Sequence, residues 1–425
     1  MPLSTVALSN GAEGLFIKND RFKTTLVTFN FYLPLREETV APFALLPFIL
    51  TSCSKKYPDF STLNCELSKL YGARLDASCE KLGDYQLLKM SISVINDVYS
   101  LNNESLVKNA CDMLLGLIFE PNTENGRFSE DDLKREKRKA VEHIKSEYSE
   151  KRIYAKTRLI EEMYKGDVYG LAKCGTVKQV ENITSASLYK AWEEMLKTAY
   201  VRVHVVGATL PNGLFDEISA KFNTLDRNGN FDYKASVPTE KVSKVKTVTD
   251  TDDVSQGKLV MGFSLDKYGN DEKTLPTIIM SDIFGGGPYS KLFSNVREKM
   301  SLCYYCSSSL MRMKGLLTVE SGVEADNADK AQKEILNQLD AIKKGDFSDF
   351  EFSASIKSIC DSFSTYSDSQ TTLETWYALK YNNDSIYTPD ELAEKIMAVT
   401  REDVIDFANG VTLNTVYKLL PKEKN

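Results

Sequence analysis

The chain has 425 residues, 42% of them hydrophobic, with 53 basic against 60 acidic side chains and a net charge of -7. That length exceeds one compact core of ~100–200 residues and predicts at least two domains. The spread acidic balance excludes the electrostatics of nucleic-acid or anionic-membrane binding, and no run of roughly 18 apolar residues marks a spanning helix.

The opening residues 1–20 lack the basic region and long apolar run of a secretory leader, so the expected address is the cytoplasm. The eight cysteines are scattered through apolar patterns, which predicts buried reduced thiols and not a disulfide framework. Val27, Phe29, Phe31 and Leu33 alternate with Thr28, Asn30 and Tyr32, the period of a half-buried strand. Helix-like stretches over 41–53 and 61–71 follow, then a strand through Leu88, Met90, Ile92 and Val94. Val107, Ala110, Leu114 and Leu117 fall at helical spacing. Phe128-Ser129 opens the next helix, where Ser129 and Asp132 have capping-box spacing; the charged run Lys134–Lys139 within it reads as an exposed face. Ile183-Thr184 opens a short helix through Leu188 and Trp192, and a strand over 201–206 closes the half.

Residues 223–241 are poor in large aliphatics and read as a linker. Beyond it the same plan recurs: a strand through Leu259, Met261, Phe263 and Leu265, helices over 273–284 and 288–299, and a strand through Leu317, Val319, Ser321 and Val323. A helix through Ala328, Ala331, Ile335, Leu339 and Ile342, a Ser348/Glu351 capping box, Val399-Thr400 and a strand over 415–420 complete the match. Asp250, Asp252 and Asp253 lack the glycine and distal glutamate of a calcium loop and read as a solvated turn. The repeat predicts an α+β fold of two duplicated domains, each a mostly antiparallel sheet with helices packed on one face, over 1–222 and 242–425.

In this order of elements the chain resembles the pitrilysin family of zinc peptidases, the inverzincins, which includes insulin-degrading enzyme and the mitochondrial processing peptidases. The sharpest local likeness is Phe284–Phe293, with Gly285, Gly286 and Gly287, followed by Val296–Tyr304. The resemblance implies a half clamshell. Active members carry His-x-x-Glu-His on the first long helix, two histidines on one face for zinc and a glutamate as general base. The corresponding helix here, placed by Lys55-Lys56 and the Leu70–Ala73 turn, reads Ala44-Leu45-Leu46-Pro47-Phe48, so no ligand stands at Ala44 or Phe48 and no base at Pro47. The family's third ligand, a glutamate, falls by register on His143, beside Glu142. His143 and His204 are the only two histidines, so no alignment restores the motif; His204, in a Val-rich strand pattern, reads as a packed or edge-strand side chain and not a ligand. No catalytic residue and no metal site is expected in this chain. Cys303 and Cys306, three apart in a strand, are expected on opposite faces and unable to share an ion or form a redox couple.

Arg297 and Tyr304 match in type and spacing a family pair that hydrogen-bonds the substrate main chain, as a guanidinium and a phenol can whatever the peptide's sequence. The plainer reading pairs Arg297 with Glu298 or Glu320 and puts Tyr304 in the core. Gly285, Gly286 and Gly287 lack the Lys-Ser/Thr of a phosphate loop and suit a hinge or a close backbone approach. The resemblance implies the non-catalytic, substrate-holding member of a heterodimeric zinc peptidase such as firmicute bacteria carry: the partner brings His-x-x-Glu-His and the zinc, and this chain grips a peptide or small protein; the sequence leaves homodimers open where the partner is missing. The rival is a structural scaffold with no part in proteolysis, like the core subunits of respiratory complexes in the same superfamily.

Overall fold

Alternation of apolar residues fixes which face of each strand meets its helices, and capping residues fix where the helices begin. The structure, a computed structural model, describes residues 3–230, 244–268, 274–379 and 387–422, so positions 231–241 of the expected linker lie outside the described residues. In the first half, β1 (Leu3–Ser9), β2 (Ala12–Lys18) and β3 (Thr24–Pro34) precede α1 (Val40–Leu50) and α2 (Phe60–Lys69). Then come β4 (Arg74–Leu82), β5 (Tyr85–Ile95) and α3 (Leu106–Phe119). A small hairpin, β6 (Thr123–Glu124) and β7 (Arg127–Phe128), leads into α4 (Glu130–Ser149) and α5 (Lys151–Met163). The half ends with α6 (Val177–Glu181), α7 (Ser185–Thr198), β8 (Tyr200–Gly207) and α8 (Leu214–Phe222).

The second half runs through β9 (Lys246–Asp252), β10 (Gly257–Leu265) and α9 (Pro276–Gly285). A π-helical segment, Leu292–Lys299, stands where the sequence predicts an ordinary helix; such wide turns are rare and often mark functional places. After β11 (Cys303–Met311) and β12 (Leu316–Val323) come α10 (Ala328–Lys343), α11 (Asp349–Thr365), α12 (Gln370–Leu379), α13 (Pro389–Met397), α14 (Arg401–Asn409) and β13 (Val411–Pro421). Thr184 caps α7 with Ser187, Thr400 caps α14 with Asp403, and Ser348 caps α11 with Glu351, each as a reciprocal box. Ser129 accepts from the Asp132 amide, but the Asp132 carboxylate turns away, accepting from Cys53, from Asn122 and from Arg135 at 2.9 Å.

The sheets repeat one topology. The first has the order β1-β2-β8-β3-β5-β4 and the second β11-β12-β10-β13-β9. Setting β1 aside and reversing the second list, β2, β8, β3, β5 and β4 correspond to β9, β13, β10, β12 and β11. In both, only the β2/β8 or β9/β13 pair is parallel and the other pairs are antiparallel. Duplication accounts for this more simply than chance. In the first unit Val27, Phe29, Phe31 and Leu33 pack with α1, α3 and α7 side chains into one apolar core.

The chain forms two compact units, and each takes a helix from the other half of the sequence. Residues 146–170, with α5, belong with the second sheet; residues 368–379, with α12, belong with the first. This exchange crosses the 1–222 and 242–425 boundaries read from sequence. It also alters the expectation of a bare second sheet face. Thr28, Asn30 and Tyr32 are all buried, because α12 covers them: Tyr32 Oη donates to the Ala378 carbonyl at 2.8 Å and Asn30 Nδ2 to Glu374 Oε1 at 2.8 Å. Likewise Asp250 and Asp252 lie on β9, not in a solvated turn. Asp252 accepts from Lys151 of α5 at 2.6 Å, and Asp250 from the Tyr417 hydroxyl at 2.9 Å.

Candidate functional site

α1 is apolar on every side, so its position is set by burial and not by an amphipathic stripe. Ala41, Ala44, Leu45 and Phe48 recur at i, i+3, i+4 and i+7, and together they form one wall of a cavity of about 730 Å³. Phe60 at the start of α2, Leu75, Asp76 and Ala77 of β4, and Val180 of α6 form further walls. Arg135, Glu136, Lys139, Ala140 and His143 close it from α4. Ala44, Phe48 and His143, which the resemblance matched to zinc-ligand positions, thus do converge on one space. Pro47, the matched general-base position, is buried within α1 and absent from the cavity wall.

The side chains in this space do not fit a catalytic zinc, which takes three protein ligands and an open fourth position. Ala44 and Phe48 offer no donor atom, and His143, an exposed imidazole, is the one donor at the three matched ligand positions. Glu136, a buried carboxylate of the cavity wall, is already held by Arg135 at 3.1 Å and Lys139 at 2.9 Å. Among the described residues no group of three His, Cys, Asp or Glu side chains gathers as metal ligands do. No hydrolytic step can be derived through a metal here. The cavity offers room for an apolar side chain, and β4 beside it is the edge strand of its sheet among the described residues.

In the second unit Arg297 lies in the last turn of the π-helical segment. Its guanidinium sits 4.6 Å above the Phe293 ring and 3.5 Å from Glu298, half-exposed. Glu320, the other partner weighed for it, is taken by Arg152 at 2.8 Å and Lys156 at 2.7 Å. Tyr304 is 58% exposed and so is not core; its hydroxyl donates to Glu324 at 3.1 Å, a contact that raises its ionisation above the ordinary phenol value. Ser301 turns the chain between the two with φ 51°, a left-handed conformation uncommon outside glycine. Gly285 ends α9 against β11: a Cβ there would lie 2.6 Å from the Ser308 amide nitrogen. Gly286 and Gly287 would bring a Cβ onto the side chains of Asp282 and Tyr289. At Gly285 close backbone approach is therefore the reason for glycine.

Cys303 and Cys306 stand corrected. A bulge in β11 opposite β12 places them on one face, close enough for each thiol to shift the ionisation of the other. The spacing alone could not reveal it, since a bulge shifts the period by one residue. A second feature invisible in the sequence is Glu374 of α12, fully buried against the first sheet. It accepts from His204 Nδ1 at 2.9 Å and from Lys89 and Asn30. With Glu374 ionised, His204 is neutral and carries its proton on Nδ1; burial holds its ionisation below the ordinary histidine value. His204 is thus a packed side chain, on the interior strand β8.

Residues 182–359 match the family described as Peptidase M16 inactive domain. The chain is 32% identical to "Probable inactive metalloprotease YmfF" of Bacillus subtilis strain 168 over 96% of each chain. Among solved structures it superposes on a conserved protein from Enterococcus faecalis V583 with TM-score 0.93, 26% identity, and coverage of 100% of this chain and 99% of that one. A peptidase M16 inactive domain from Pseudomonas fluorescens matches with TM-score 0.79, 19% identity and 99% coverage of each, a likeness of fold. Identity of this order over nearly the whole chain, together with the missing ligands at Ala44 and Phe48 and the missing base at Pro47, makes the protein a member of the pitrilysin-type M16 peptidase family and one of its inactive homologues.

Proposed function

We propose that the chain is the peptide-holding, non-catalytic subunit of a heterodimeric metallopeptidase, with zinc and general base supplied by a partner that carries His-x-x-Glu-His. The observation that supports this reading is the largely apolar cavity lined by Ala44, Phe48 and His143, the positions that the resemblance matches to zinc ligands, beside the edge strand β4. An extended peptide added to that edge would gain main-chain hydrogen bonds independent of its sequence, while a bulky apolar side chain would fill the space between α1 and α4. In the second unit, half-exposed Arg297 and exposed Tyr304 are donors suited to peptide carbonyls. Positioning of this kind supplies orientation, which lowers a partner's barrier without any reacting group in this chain. We place the protein in the cytoplasm, in keeping with eight free thiols. No helix among the described residues is long and apolar enough to cross a membrane.

The scaffold reading has one observation in its favour: Arg297 and Tyr304 each already have an acidic partner, Glu298 and Glu324. Titrating fluorescent peptides into the protein separates the two. The holding subunit binds peptides with bulky apolar residues, and Phe48→Arg, which puts a charge into the cavity, weakens binding at least about tenfold, on the order of the cost of desolvating an unpaired charge. Absence of binding to the wild-type chain, or unchanged affinity in Phe48→Arg, would favour the scaffold.

A further inference from the structure

Cys303 pairs with Val323 and Cys306 with Ser321 across the β11/β12 ladder, and the register slips between Cys303 and Tyr305. Val323 and Ser321 are two apart on β12 and share a face, so the two cysteines opposite them share it as well. Tyr304 is the extra residue of the bulge, and it points its phenol to solvent. Cys303 is half-buried and within reach of solvent; Cys306 is buried beneath it, with the Ser321 hydroxyl beside both thiols.

We infer that Cys303 and Cys306 are a reversible redox modification site, closing to a disulfide across the Tyr304 bulge when the protein meets a small-molecule disulfide such as oxidised glutathione. The roles of the two sulfurs differ. The hydrogen bond from Cys306 pulls the Cys303 thiol down to about 7 against the effect of burial, with help from Ser321 and the Arg297 guanidinium, while Cys306 is pushed up. Cys303 is therefore the attacking thiolate. It forms a mixed disulfide with one sulfur of the small molecule and releases the other as a thiolate, which takes up a proton. Cys306 then loses its proton and attacks the Cys303 sulfur, expelling the second small thiol. Two protein thiols become one disulfide, and the small disulfide becomes two thiols.

Same-face neighbours on a strand stand ~6.6 Å apart at Cα, the long end of the ~4.4–6.8 Å range that a disulfide spans. Closure thus tightens the bulge and displaces Tyr304 between the two sulfurs. That this displacement weakens peptide binding rests on the proposed function; formation of the disulfide does not.

The test holds the full-length protein in glutathione buffers of increasing oxidised fraction at pH 7, then alkylates free thiols and maps them by mass spectrometry. The expected result is loss of both alkylations and two hydrogens from the peptide containing Cys303 and Cys306, restored by reductant, while the exposed Cys65 remains alkylated or carries only glutathione. Cys306→Ser should trap Cys303 as a stable glutathione adduct, and Cys303→Ser should leave Cys306 reduced. In the reduced protein the alkylation rate of Cys303 should rise with an inflection near pH 7. Three results would overturn the assignment: wild-type Cys303 accumulating the glutathione adduct as Cys306→Ser does, both thiols staying reduced while Cys65 reacts, or Cys79 and Cys174, the other hydrogen-bonded thiol pair, closing in their place.

Discussion

The two units use one strand order and one device, a helix taken from the other half of the sequence, but they invert its charge. α12 brings a carboxylate, Glu374, onto a sheet face carrying Lys89 and His204. α5 brings cations, Arg152 and Lys156, onto Glu320 of β12. Each face thus meets a helix that carries the opposite charge. The two locks also differ in depth. Glu374 and His204 are almost completely buried, whereas Arg152 and Lys156 remain partly in water. Depth, more than the number of ion pairs, should decide how much each lock matters.

Removing the deeper lock should cost most. Glu374→Ala leaves Lys89 with the Thr375 hydroxyl but no counter-charge and the His204 proton without its acceptor in a dry site, and a loss of about 3–5 kcal/mol is expected by urea unfolding. Glu320→Ala, the matched change in the second unit, frees two cations that water can reach and should cost only about 1 kcal/mol. Equal losses would break the comparison. Between them falls Gly285→Ala, whose added Cβ meets the Ser308 amide at the α9/β11 contact and should cost about 1–3 kcal/mol.

Acid sharpens the same contrast. Two groups of the deep lock have folded ionisation below the ordinary value: Glu374 is held down to about 2 by His204 and Lys89 despite its burial, and His204 is held down by burial. For His204 the unfolded chain takes up its proton first, so its contribution is complete above about pH 6.5 and is lost as the pH falls below that. For Glu374 the contribution is complete above about pH 4.5 and is lost as the pH falls toward 2. Both have the same sign, so stability should decline from pH 6.5 downward at no more than about 1.4 kcal/mol per pH unit for each proton taken up. Glu374→Gln should flatten the lower part of that decline. A profile unchanged by the substitution would remove Glu374 from the account. The smallest effect is reserved for Tyr304→Phe, which should leave stability within about 0.5 kcal/mol and act, if the peptide-holding reading is right, on peptide affinity alone.

Much of the fold is legible in the sequence, because alternation at Val27–Leu33 and Leu259–Leu265 and the Thr184, Ser348 and Thr400 caps are local signals. The loss of the zinc motif is equally plain at Ala44, Pro47 and Phe48. The rest is hidden for identifiable reasons. Asn30 looks like the wet face of a strand until Glu374, 344 residues later, is laid upon it. Cys303 and Cys306 look separated until a single bulged residue, Tyr304, turns the period of β11. Asp250 and Asp252 look like a solvated turn until α5 supplies Arg158 and Lys151. In each case the deciding partner is distant in the chain or the deciding geometry is irregular, and neither leaves a periodic trace.

The most direct test of the account is cleavage of a quenched peptide library, with zinc present, by the pure chain and by the chain mixed with a homologue from the same organism that carries His-x-x-Glu-His. The pure chain should cleave nothing, and the mixture should show zinc-dependent cleavage that falls when this chain carries Phe48→Arg. Chelator-sensitive cleavage by the pure chain alone would contradict it.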